Sequence, residues 1–302
     1  MYVKLADVRL FFDVDGAQLV PDGSAMRERP TLICLHGGPG LDHSTLKPPL
    51  APLANVAQLI YLDQRGHGRS DRSDPERWSL AQWAQDLRDF IDALGIVDPI
   101  VLGVSFGGYV AMTYATRYPE HPAKLILIST SARGTAHPER SARVLDAFER
   151  RGGLRARAVV QRAFQERTPE AYAEYIRVCG PLYHRQTPDP QSSARTIAND
   201  AMVPFFERPS GEGAVFDLRS ELAAIRCPTL VIGGEDDPIT PVSEQQTIVD
   251  ALPAGLGRLE RFAGCGHGVW RGDATGLRRV IAAFVRERAD ARLGAGSRCR
   301  RS

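Results

Sequence analysis

The chain has 302 residues, 43% hydrophobic and 25% charged, with a formal net charge of +2. This composition excludes disordered and fibrous classes and suits one large α/β core carrying an inserted or appended element. The charge is too small, and the basic residues too scattered outside the tail, to call for a nucleic-acid partner.

In chain order, the first 20 or so residues alternate as an opening pair of antiparallel strands would, with Asp15-Gly16 as the turn. Thr31 to Leu35 is an apolar strand and runs into His36-Gly37-Gly38-Pro39-Gly40. Ser79 to Gln82 has the form of a capping box, and Leu80, Trp83, Leu87, Phe90, Ile91 and Leu94 share one helical face until Gly95 ends the helix. Pro99-Ile100-Val101-Leu102 predicts a buried strand before Gly103-Val104-Ser105-Phe106-Gly107-Gly108, and Tyr109 to Tyr114 continues as an apolar helix. Lys124 to Ser129 is a further buried strand.

The composition then changes. Between Arg133 and Leu218 there are 13 Arg, no Lys and 11 acidic residues, with few β-rich runs. Within this segment Thr168-Pro169-Glu170 opens a helix on which Tyr172, Tyr175, Ile176 and Cys179 share a face. The core resumes near Leu222, with a strand over Thr229 to Gly234, another over Arg258 to Phe262, and a closing helix over Gly272 to Arg288. Gly294 to Ser302 is a short basic tail expected to fray. The predicted division is thus 1–132 core, 133–218 helical insertion and 219–302 core.

Gly103 to Gly107 has the pattern of a nucleophile elbow, a sharp strand-to-helix turn that pushes a serine hydroxyl out of the sheet. A serine is a poor nucleophile by itself, so this reading demands a histidine base and an orienting acid, later in the chain and in the order acid, then histidine. Both follow. Asp237 comes after a β-rich run ending in Gly233-Gly234, with Asp236 as its immediate rival, and His267 lies in the loop Gly264-Cys265-Gly266-His267-Gly268. Loops at strand ends are where a parallel sheet places its chemistry. His36 is expected to brace its loop rather than exchange protons, and His67 sits between glycines in a further loop. His43, His121, His137 and His184 carry no partner pattern, no spacing suggests a zinc site, and a hydrolytic serine needs no cofactor.

These motifs resemble the α/β-hydrolase superfamily. His36-Gly37-Gly38-Pro39-Gly40 together with Asp63-Gln64-Arg65-Gly66-His67-Gly68-Arg69-Ser70 is similar to its proline iminopeptidase branch, over about residues 30 to 130 and 220 to 290. The resemblance implies a mostly parallel central sheet flanked by helices, with 133–218 as a helical lid. It also implies acyl-enzyme hydrolysis, with Ser105 as nucleophile, His267 as base and then acid, and Asp237, matched by the spacing to Gly234 and Pro241, fixing the imidazole. The Gly38 and Phe106 N–H groups would form the oxyanion hole. The expected substrate is a small molecule or short peptide, held by its free amine through carboxylates such as Glu149, Glu170, Glu174, Glu207 or Glu212, none of which lies in a matching pattern.

The elbow departs from the branch's Gly-Gly-Ser-Trp-Gly, with Val104 and Phe106 in place of glycine and tryptophan, which keeps an esterase or lactonase open beside an aminopeptidase or aminoacyl amidase. A non-catalytic binding protein of the same fold is the third alternative, and Ser105 at the elbow excludes the aspartate-nucleophile dehalogenases and epoxide hydrolases. Five scattered cysteines, Cys34, Cys179, Cys227, Cys265 and Cys299, with no C-x-x-C favour a reducing compartment over a disulfide framework. Lys4, Asp7 and Arg9 interrupt the N-terminus before any stretch of signal-peptide length, and no apolar run has membrane length. A soluble, cytoplasmic protein is expected.

Overall fold

Strands β5 (Thr31–Leu35), β6 (Gln58–Leu62), β7 (Ile100–Val104) and β8 (Lys124–Ile128) are short apolar runs, buried almost throughout. Such runs suit a sheet covered on both faces. In the computed structural model, which describes residues 1–186 and 190–287, they pair in parallel together with β9 (Thr229–Gly234) and β10 (Gly257–Phe262). Two strands, β1 (Tyr2–Lys4) and β2 (Arg9–Asp15), extend the sheet antiparallel on the β6 side, giving the order β1-β2-β6-β5-β7-β8-β9-β10.

The opening strands pair as expected, but the turn between them lies at residues 5–8, where the Leu5 N–H bonds the Val8 carbonyl. Gly16, at φ +82°, ends β2 without closing a hairpin, because β2 finds its second partner in β6. A separate hairpin of β3 (Leu19–Asp22) and β4 (Ala25–Glu28) follows.

Helices cover both faces. Across one face lie α2 (Leu80–Ala93), α3 (Phe106–Arg117) and α9 (Val242–Ala251), with Trp83, Phe90, Val110, Met112 and Ile248 in the core they share with the sheet. Across the other lie α1 (Lys47–Leu50) and α10 (Trp270–Arg286), contributing Leu50, Leu277, Ile281 and Phe284. The closing helix begins two residues before the expected start, and Arg288, the tail and Cys299 fall outside the described residues. Ser79 caps α2 by accepting from the Gln82 N–H at 3.2 Å, yet the reciprocal half of the box is absent: the Gln82 amide turns to Asp86. The Leu80 N–H, the first of the helix, donates to Glu212, 132 residues later, at 2.6 Å.

Between β8 and β9 the chain forms α4 (Pro138–Glu166), α5 (Pro169–Cys179), α6 (Pro190–Arg195), α7 (Met202–Phe206) and α8 (Glu212–Val215). Gly153 breaks α4 into two arms at φ +72°, and the arms pack with α5 around Phe148, Val160, Tyr175 and Cys179. Ile176 does not join that face; it is 60% exposed. The segment meets the main core through Met202, Phe206 and Phe216, and through Arg133, whose guanidinium forms a fully buried pair with Glu244 of α9 at 3.0 Å. The four described cysteines are buried and free, and among the described residues no helix is long and apolar enough to cross a membrane.

Candidate active site

The loops that follow β5, β6, β7, β8, β9 and β10 all leave the sheet at the carboxyl ends of parallel strands, so they converge on one edge. Ser105 stands at the sharpest of these exits. Its φ of +52° and ψ of −116° lie outside the ordinary regions for an L-residue, a conformation that persists only where surrounding bonds enforce it. The Ser105 N–H donates to the Ile128 carbonyl at 2.9 Å, and the Ser105 carbonyl accepts from the Gly108 N–H at 2.9 Å and from Thr130 Oγ1 at 2.7 Å. The flanking glycines are a steric necessity: a Cβ on Gly103 would overlap the Gly107 carbonyl, and one on Gly107 would overlap the carbonyls of Leu35 and His36. The two departures from the iminopeptidase elbow are both buried, Val104 among the sheet residues and Phe106 edge-on to Trp83 and Phe206.

Asp237 and His267 come together across 30 residues, with His267 Nδ1 2.8 Å from Asp237 Oδ2. An ionised carboxylate only accepts, so Nδ1 carries the proton and Nε2 is left as the basic nitrogen. Asp237 is 2% exposed; its Oδ1 accepts from the N–H groups of Ile239 and Thr240, and its Oδ2 also accepts from Thr240 Oγ1 at 2.7 Å. Burial pushes this carboxyl up, but the adjoining imidazole and the Thr240 bonds outweigh it and hold it below the usual carboxylate range. Asp236 turns away: its carboxylate pairs with Arg185 at 2.7 Å and its carbonyl accepts from Arg151.

On the other side of the imidazole, the His267 N–H donates to the Tyr183 carbonyl at 2.9 Å and the Tyr183 ring packs edge-on at 5.4 Å. Tyr183 belongs to the inserted segment and had no sequence signal, since its contact is made by a carbonyl. The imidazole's hydrogen bonds fall on Nδ1, to Asp237 and Thr240, and none closes between Nε2 and Ser105 Oγ. Such bonds are often long until substrate is bound.

The loop after β5 lies directly against Ser105: a Cβ on Gly37 would stand 3.4 Å from Ser105 Cβ. Gly38 has φ +137°, a backbone that excludes other residues, and precedes a cis bond to Pro39. Among the described residues, neither the Gly38 N–H nor the Phe106 N–H donates to a backbone carbonyl. The latter is the first of a helix, where N–H groups have no partner within the helix.

His36 accepts from the Gln64 N–H on Nε2 at 3.3 Å, so its Nδ1 carries the proton and donates to the Gly37 carbonyl at 2.8 Å. Burial holds it below the ordinary histidine pKa, and it serves as a neutral brace. His67 packs between His36, Trp83 and Phe106 and donates from Nδ1 to the Arg65 carbonyl. His43 is buried against Asp63 at 2.7 Å.

Of the five carboxylates considered for an amine, Glu149 and Glu174 pair with Arg157 and Arg162, and Glu170 is exposed. Only Glu207 and Glu212 turn inward. Glu207 lies 3.3 Å from Arg167 and within hydrogen-bond reach of Thr135 and Tyr172; burial raises its pKa against the pull of Arg167 and Arg140. Glu212 caps α2.

A glycine-flanked serine at a strained turn, an imidazole oriented by a buried carboxylate and an eight-stranded, mostly parallel sheet place this molecule in one class, the α/β hydrolases. Residues 30–269 match the family model of the alpha/beta hydrolase fold, and the chain belongs to that family and is a hydrolase. A proline iminopeptidase of Lactiplantibacillus plantarum is 32% identical over 250 residues, 76% of this chain and 84% of its own. The crystal structure of proline iminopeptidase from Mycobacterium smegmatis superposes with a TM-score of 0.76 at 25% identity, covering 94% of this chain and 97% of that one. Est816, described as an N-acyl homoserine lactone degrading enzyme, superposes with a TM-score of 0.65 over 94% of this chain and 100% of its own; at 21% identity it shows the shared fold alone.

Proposed function

We propose that Ser105 is an acyl-enzyme nucleophile and that the preferred substrate is an aminoacyl amide or short peptide from which one N-terminal residue is released. The observation that carries the catalytic half is the Asp237–His267 pair at 2.8 Å beside the strained Ser105 turn. In this reading Nε2 takes the hydroxyl proton as Oγ attacks the carbonyl. The developing oxyanion is received by the N–H groups of Gly38 and Phe106, each worth about 3 kcal/mol of barrier. His267 then returns the proton to the leaving nitrogen, and water repeats the sequence on the acyl-enzyme. Residues 133–218 act as the lid over this edge of the sheet.

Kinship with proline iminopeptidases over three quarters of the chain supports the aminoacyl half. A second reading, an esterase or lactonase on a small metabolite, is favoured by one feature: Glu207, an inward-facing carboxylate of the segment, already has a cationic neighbour in Arg167. The two separate on prolyl and alanyl p-nitroanilides set beside their N-acetylated forms and p-nitrophenyl acetate, with Ser105→Ala as the blank. Cleavage confined to free-amine anilides establishes the first; ester cleavage without anilide cleavage establishes the second. A chain that fails to react with a fluorophosphonate at Ser105 refutes both.

A further inference from the structure

Behind the catalytic acid, a cavity of about 570 Å³ opens between the first arm of α4 and the loop after β9. Ala147, Arg150 and Arg151 line one wall, His184 and Arg185 the second, and Glu235 to Pro238 with Pro241 the third. Three guanidiniums and three carboxylates line it, and the carboxylates bond groups other than Arg150 and Arg151. Asp237 is engaged by His267, Asp236 by Arg185, and Glu235 by Arg261 outside the cavity at 3.0 Å. Arg150 and Arg151, by contrast, have no carboxylate within 4 Å among the described residues.

Arg151 gives its two terminal nitrogens to the carbonyls of Asp236 and His184, at 3.1 and 2.9 Å, and leaves Nε buried without an acceptor. His184 Nδ1 is likewise buried without a partner. Arg150 is exposed and makes no hydrogen bond or ion pair among the described residues. Two guanidiniums on successive residues, neither with a direct carboxylate partner although Arg151 lies in the field of Asp236 and Asp237, face this cavity and match an oxyanion that accepts from both.

We propose that this cavity is an anion site for a carboxylate or phosphate group, held by Arg150 and Arg151. The anion has two possible sources. One is the terminal carboxylate of the substrate's leaving group, because Tyr183 adjoins His184 and packs on His267, the group that would protonate the leaving atom. The other is a free anion that ties the inserted segment to the loop holding Asp237. The first source rests on the aminoacyl reading above; the second does not.

Two arms distinguish them. In the first, thermal melting of the full chain is followed against inorganic phosphate at constant ionic strength, with chloride as the reference. The site predicts a rise in Tm with phosphate that is lost in Arg150→Met and in Arg151→Met. In the second, an alanyl dipeptide with a free carboxylate is compared with its C-terminal amide. Leaving-group recognition predicts about a tenfold or greater preference in kcat/KM for the free acid, falling towards unity in the same variants.

A phosphate response without dipeptide discrimination assigns the site to a free anion, and discrimination assigns it to the substrate. The absence of both a phosphate-specific rise and dipeptide discrimination overturns the proposal. Arg150→Met removes no contact of the fold, so its result stands even where Arg151→Met is poorly folded. A chain that ignores fluorophosphonate but still responds to phosphate refutes the catalytic reading and leaves the anion site intact.

Discussion

The sheet core and the segment between β8 and β9 are stabilised by different physics. In the core, β5, β7 and β8 are buried at every position, and van der Waals contact with helices on both faces leaves side chains no choice of surroundings. The segment has a smaller apolar cluster of its own, reaches the main core through Met202, Phe206 and Phe216, and is further tied by guanidiniums: Arg133 to Glu244, Arg167 to Glu207, and Arg151 to two carbonyls. Close packing holds the proposed reacting groups to one geometry. A polar seam can be rearranged by a few hydrogen bonds, so the same core can serve different substrates beneath a changed segment.

The contrast breaks first, and furthest, at the elbow. Ser105→Ala is expected to lower kcat at least about 10⁴-fold while the melting temperature stays close to that of the parent; residual turnover well above that level, from purified variant, removes Ser105 from the mechanism. Asp237→Asn should approach the same loss, since the imidazole would lose its acceptor, whereas Asp236→Asn should stay within about tenfold. Equal losses at the two positions, measured as kcat/KM on one substrate, would reverse the assignment of the acid.

Stability sharpens the comparison. A methyl group at Gly107 meets backbone on every side, so Gly107→Ala is expected to cost about 3 kcal/mol or more. Gly153, in the α4 break, has nothing within 4 Å of a built Cβ and bears only the strain of its positive φ, so Gly153→Ala should cost about 1–2 kcal/mol. Denaturant midpoints in the opposite order would show that the segment, not the sheet, limits stability. At the junction, Arg133→Met leaves the buried Glu244 carboxylate with Arg143 and Ser131 as its remaining partners, so the cost should fall below the roughly 3–5 kcal/mol of a fully stranded buried charge, with Glu244→Gln losing less than the change at Arg133 if the weakened pairing is the cause.

The smallest effect is with pH. Burial pushes the Glu244 carboxyl up, but Arg133 and Ser131 outweigh it and hold it below the usual range, as His267 and Thr240 do for Asp237. Depressed carboxylates contribute stability that is fully present above the ordinary carboxylate pKa and is lost as pH falls through their folded-state values. Thermal melts should therefore be flat with respect to these two groups near neutrality and fall in the acid range, and Glu244→Gln should flatten part of that fall.

Most of the fold was legible because parallel strands buried on both faces appear as unbroken apolar runs, and their exits appear as glycines. Ser105 and Asp237 were marked by the same punctuation, each at the glycine-framed exit of such a run, whereas His267 follows the half-exposed, charged strand β10 and was marked by its flanking glycines; Asp237 is followed by the Thr240 that bonds it. The turn at Asp15-Gly16 misled for a definite reason, since Gly16 does turn the chain but β2 had a stronger partner in β6. What stayed hidden were partnerships between distant polar groups. Arg133 and Glu244 are 111 residues apart, and the buried Arg65 guanidinium joins buried Asp86 to exposed Asp7. The Tyr183 carbonyl that receives the His267 N–H belongs to backbone, which has no signature in side-chain chemistry.

The Glu212 carboxylate that closes the first turn of α2 makes one amide a gauge of the whole inserted segment. The bond to α8 shields the Leu80 N–H from solvent exchange; if the segment lifts as the proposed lid would, that proton is released although α2 and its Ser79 cap remain folded. Deuterium uptake at Leu80, read against uptake at Leu87 in the same helix, would therefore time the opening of the segment without a label, a ligand or any turnover.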